Sequence, residues 1–175
     1  MKKSDALRFL CEAKKSHLWW LSHATAIVAG HPVEQVEVPL HCTECAFGCW
    51  YYGNGAVLSQ IQGFRQIEQP HTHWHEIYLE IHVLLKVGKK EQDTSGLGRL
   101  LGAGRKLKAE KAAAAAQAQA LLVDMKTASR EIVEHVDALQ AQLLAMSDAE
   151  FDTLMAAQGR TSVPPTLRLV KQKIA

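Results

Sequence analysis

The chain has 175 residues, 47% of them hydrophobic, and a formal charge of +2. That is room for one domain or a small domain with an extension, and it excludes a surface built to coat nucleic acid or anionic lipid. No apolar run reaches the length of a membrane span. The first fifteen residues mix Asp5 and Glu12 with lysines rather than forming an apolar signal segment, so a cytoplasmic protein is expected.

Helical periodicity dominates and two-residue alternation is nearly absent, which predicts an all-α fold. A first helix is expected from Ser4, as N-cap, to near Gly30, with Leu10, His17, Leu21 and Ala24 on its inward stripe. Residues 31–41, with Pro32 and Pro39, read as an extended connection. A short helix over about 43–52 stops at Gly53-Asn54-Gly55, and a third helix is expected over about 56–68. Pro70 suits the first turn of a fourth helix over about 70–87, which sets His71 and His75 one turn apart on one face. Residues 1–88 thus read as a helical bundle, and the glycine-rich residues 89–104 as a linker.

Residues 105–175 read as a helical extension. Ala118, Leu122, Met125, Ser129, Ile132, Val136, Leu139 and Leu143 recur at alternating intervals of four and three. This is a heptad seam, read here as a coiled coil in preference to a helix folded back on the bundle. Ser147-Asp-Ala-Glu150 has the capping-box pattern and starts a further helix ending near Gly159. Pro164-Pro165 opens a basic tail.

The chemistry concentrates in CTECAFGCWYYG, residues 42–53, with three of the four cysteines. A thiol there, the His71/His75 pair and His17 on a buried stripe each have an ordinary packing explanation. One tetrahedral ion explains all four together, and mixed thiolate and imidazole donors suit zinc. The proposed ligands are His17, Cys45, His71 and His75. A competing set replaces His17 with Cys42, since Cys42 and Cys45 form C-x2-C. Yet 25 residues separate Cys45 from His71, where finger-type sites use about 12. No basic recognition surface accompanies them, so nucleic acid is not an expected partner.

Cys45-Ala-Phe47-Gly48-Cys49-Trp50, with His17 upstream in SHLWW and His71 and His75 in PHTHWH, resembles the chemoreceptor zinc-binding (CZB) domain over about residues 5–87. The resemblance implies a small helical bundle, usually a homodimer, with a three-histidine, one-cysteine zinc site. It implies regulation, in bacteria, of chemoreceptors or diguanylate cyclases in response to zinc or to oxidants such as hypochlorous acid. Phe47 and Trp50 would pack the short helix on the bundle, and Gly48 would allow close backbone approach. Cys42 and Cys49 lie outside the family pattern; with Cys45 they form a candidate redox group. No cyclase motif, membrane span or receptor hairpin is present, so the expected role is non-catalytic, with residues 105–175 passing the signal to a partner. A zinc hydrolase is the alternative, along with a structural zinc scaffold.

Overall fold

The computed structural model describes residues 1–31, 39–88 and 103–158. The linker assigned to 89–104, all but its last two residues, and the basic tail opened by Pro164-Pro165 lie outside these. Among the described residues every regular element is helical.

Helix α1 spans Lys3–Val28. It starts a residue before Ser4 because Asp5 reaches back and accepts a hydrogen bond from the Lys2 backbone N–H at 3.2 Å. That carboxylate satisfies a free donor and favours the positive end of the helix. At the other end Gly30 takes φ +79°. Gly30 N–H donates to the Ile27 carbonyl and His31 N–H to the Ala26 carbonyl, which is the Schellman closure glycine permits. The inward stripe is Ala6, Leu10, Ala13, His17 and Ala24. Its alanines let neighbouring helices approach closely.

Helix α2, Ala46–Tyr52, is followed by a 3-10 turn over Asn54–Leu58 and a short α3, Gln62–Gln66. The single third helix expected over 56–68 is therefore divided. These short elements are held by rings rather than by length. Tyr51 stacks on Phe64 at 4.2 Å between centroids and donates its hydroxyl to the Phe64 carbonyl, while Phe9 of α1 stacks on Trp50 at 4.7 Å. Helix α4, Glu68–Gly88, carries Pro70 in its first turn, as expected, and buries Trp74, Ile77, Tyr78 and Ile81.

Helix α5, Ala103–Ala145, has 43 residues and is about 65 Å long. It packs most heavily on α4, then on α1, and meets α3 near its end. It runs antiparallel to α1: Lys3 Nζ donates to the Met146 carbonyl at 2.7 Å, Gln140 to the Leu7 carbonyl, and Lys14 pairs with Asp137. Gln117 bonds Glu80 of α4. The heptad seam from Ala118 to Leu143 is buried within the chain. The coiled-coil reading of this segment is thus corrected to the fold-back one. A period of 3.5 describes a helix that buries one stripe, whichever helices cover it. Ser147 and Glu150 form the expected capping box, through Ser147 N–H to Glu150 at 2.7 Å and Glu150 N–H to Ser147 Oγ at 3.2 Å. They open α6, Asp148–Gln158, which buries Phe151.

Because α5 completes the core, Ile132→Ala, at a site 1% exposed, should destabilise the chain by about 2–5 kcal/mol. Val123→Ala, at a site 62% exposed on the same helix, should stay within about 0.5 kcal/mol. Urea unfolding of the two variants measures the contrast.

Candidate metal centre

Three separate segments converge beside α2. His17 comes from the inward stripe of α1, Cys45 from the turn that caps α2, and His71 from the first turns of α4. One donor atom from each lies within 4.8 Å of the other two, and all three residues are buried. Cys45 Sγ is 3.3 Å from His71 Nε2. Ligands around one tetrahedral zinc stand roughly 3.3–3.8 Å apart, given bonds of 2.0–2.3 Å, so this pair already has the required spacing. His75 stands at the edge of the group, its ring 4.9 Å from that of His71 and 6.2 Å from that of His17.

Local sequence explains how the thiol is aimed. Cys45 is the N-cap of α2, and its sulfur accepts the Gly48 N–H at 3.1 Å. The turn before it folds so tightly that a Cβ on Gly48 would sit 1.6 Å from the Cys42 carbonyl oxygen. Only glycine fits there. Phe47 meets His71 edge-on at 4.9 Å, and Trp74 meets both His17 and His75 edge-on. The site is therefore walled by apolar rings. Trp74 was the wall that sequence reasoning did not assign; its place on α4, three residues after His71 and directly before His75, was the available signal.

The polar atoms inside these walls are poorly satisfied. His17 Nδ1, His71 Nδ1 and both ring nitrogens of His75 are buried without a hydrogen-bond partner among the described residues. Buried polar atoms are normally paired, so several orphans in one place mark a binding site rather than a packing core. Burial lowers the His17 pKa to about 3, with His75 adding to the effect, and lowers that of His71 to about 2, with both other imidazoles contributing. His75 falls to about 4 through burial, partly opposed by the Pro39 and Leu40 carbonyls, which lie near the ring outside good hydrogen-bond geometry. All three are thus held neutral, the form that offers a lone pair to a metal. Burial pushes the Cys45 thiol up to about 11 despite the opposing Gly48 and Phe47 N–H groups. A cation would supply the charge that turns this thiol into a thiolate. Nitrogen and sulfur donors, sealed from water by aromatic rings, fit zinc.

The other sequence candidates are placed differently. Cys42 is half-buried with its sulfur accepting from Thr72 Oγ1 at 3.7 Å, while its carbonyl oxygen lies 3.5 Å from Cys45 Sγ. Cys49 is exposed, its sulfur near the Thr43 and Glu44 carbonyls. On α2, Trp50 is buried against Phe9 of α1 and Phe64 of α3, and Phe47 against His17 of α1 and His71 of α4.

Fold and site together define a small all-helical, zinc-binding domain. Residues 17–81 match the family model of the chemoreceptor zinc-binding domain, the family the sequence motifs resemble. No curated protein and no solved structure matches the chain.

Two measurements follow from the geometry. Gly48→Ala must displace the Cys42–Cys45 turn and should weaken zinc binding about 10–100-fold, read by competition with a chromogenic chelator. Chelator-stripped protein should be most stable between about pH 6.5 and 9. Its depressed histidines contribute stability present above their unfolded pKa of 6.5 and lost as pH falls through their folded values. Raised Cys45 contributes stability present below its unfolded pKa of 9.0 and lost as pH rises towards about 11. Thermal melts across that range should fall on both sides.

Proposed function

We propose that the chain is a non-catalytic regulatory protein in which zinc, held by His17, Cys45, His71 and His75, sets the position of α1 relative to α4. The observation that carries this reading is the convergence of His17, Cys45 and His71 donors within 4.8 Å from three separate segments. The unpartnered nitrogens of His75 support it as the fourth ligand, a small shift from the group. Four protein ligands leave no open position for a substrate water, which favours a sensor over a hydrolase.

The readout runs through α5. That helix packs on both elements the ion ties together, so loss of zinc, or oxidation of the Cys45 sulfur, changes the two surfaces it rests on. Residues 105–175 then present the changed state to a signalling partner of the chemotaxis or cyclic-di-GMP type. A homodimer is part of this reading. Leu18 and Trp19, adjacent on α1, are each about half exposed and offer an apolar surface for a second copy. No helix among the described residues is long and apolar enough to cross a membrane, and a location in the cytoplasm belongs to the same proposal.

The test uses the full chain. Metal analysis should return about one zinc per chain. Replacing His17, Cys45, His71 or His75 by alanine should each weaken binding by far more than C42S does. Hydrogen exchange in α1, α4 and α5 should slow together on zinc addition, and light scattering should give a dimer mass. Equal loss with C42S would move the site to the C-x2-C set, and exchange unchanged by zinc would remove the sensor role.

A further inference from the structure

The three cysteines of residues 42–49 surround one turn, and only Cys45 belongs to the ligand group. Cys42 and Cys49 are equally near in sequence but differ in what a bond to Cys45 would require. Cys49 lies one helical turn beyond Cys45, and its N–H donates to the Cys45 carbonyl at 2.9 Å. Helical neighbours at that spacing have Cβ atoms about 5–6 Å apart, whereas a disulfide needs about 3.5–4.5 Å, so joining them would distort α2. Its sulfur also points outward, to the Thr43 and Glu44 carbonyls.

Cys42 has neither obstacle. It precedes α2, in a turn closed by the Glu44 N–H to the His41 carbonyl at 3.0 Å, so linking it to Cys45 leaves the hydrogen bonds of α2 in place. Its carbonyl oxygen already touches the Cys45 sulfur at 3.5 Å, and the bare Cα of Gly48 presses the turn into that shape. Among the described residues the Cys42 thiol meets Thr72 Oγ1 at 3.7 Å and the Tyr52 hydroxyl beside it, in a half-buried niche against α4. Closing the bond requires the Cys42 side chain to leave those weak contacts and turn about its Cα–Cβ bond toward the Cys45 sulfur.

We propose that Cys42 is a resolving thiol built into this site, which closes a Cys42–Cys45 disulfide when a peroxide-type oxidant attacks Cys45. This rests on the reading of Cys45 as a zinc ligand. The Cys45 thiolate attacks the peroxide, breaking its O–O bond; sulfur gives up two electrons, becomes sulfenic acid, and hydroxide leaves. The Cys42 sulfur then attacks the Cys45 sulfur, the S–O bond breaks, and the oxygen departs as water with the Cys42 proton. Cys45 thereafter offers no thiolate to the ion. A small-molecule thiol reverses the bond and returns both cysteines, so the response is reversible and Cys45 is shielded from irreversible sulfinic acid.

Zinc-loaded full-length protein is exposed to excess hydrogen peroxide, with peptide mass mapping, a zinc-sensitive dye and rebinding after dithiothreitol as readouts. Wild type should lose a pair of alkylatable thiols mapped to Cys42 and Cys45, release zinc, and regain zinc binding on reduction. C42S should hold zinc as wild type does before oxidation, then gain two oxygens on Cys45 and fail to regain binding. C49S should follow wild type. A disulfide mapped to Cys49 or Cys11, or full recovery in C42S, overturns the proposal while leaving the zinc site intact. Failure of unoxidised wild type, or of unoxidised C42S alone, to hold zinc overturns the ligand assignment and this proposal with it.

Discussion

Three imidazoles and one thiol sit together in a space closed by aromatic rings, and four of their ring nitrogens have no hydrogen-bond partner among the described residues. Elementary solvation makes that arrangement unfavourable unless a cation occupies it: an unpaired buried polar group costs about 1–3 kcal/mol. The remainder of the domain can be understood as the means of bringing this set together. The alanines of α1 allow close packing around His17, the glycine at 48 allows the turn that aims Cys45, and the first turn of α4, with Pro70, sets His71 opposite both. Trp74 and Phe47 then exclude water from the result.

The same constraint gives the long helix its meaning. α5 lies along α1 and α4, so it contacts both helices that carry the histidines of the site. Its polar ties, Lys14 to Asp137 and Gln117 to Glu80, lie on either side of the histidine level, one on each partner helix.

Much of this was legible in the residues. His17 fell on a helical stripe, His71 and His75 were one turn apart, and Cys45 headed an aromatic helix; each has a spacing that survives without coordinates. What could not be read was direction. The 3.5-residue seam from Ala118 to Leu143 shows that one side of α5 is covered, yet it carries no mark of whether the cover is another chain or earlier helices of the same chain. The residues 56–68 kept a helical pattern, but Tyr51 stacking on Phe64 favours a chain that bends between two short helices. C-x2-C likewise gave two sulfurs near one place. Only the turn held by Gly48 shows that Cys45 points at the histidines while Cys42 points at Thr72.

The family match stops at residue 81, but the protein's interior does not. Leu122, Met125, Ile132, Val136, Leu139 and Leu143 of α5 are the lining against which α1 and α4 close. A fragment trimmed to the matched stretch would leave that lining behind and meet water with a bare oily trough; the excised α5, an amphipathic rod without its seat, would fare no better. The zinc-binding segment and its long helix thus share one interior, whose lining comes from both.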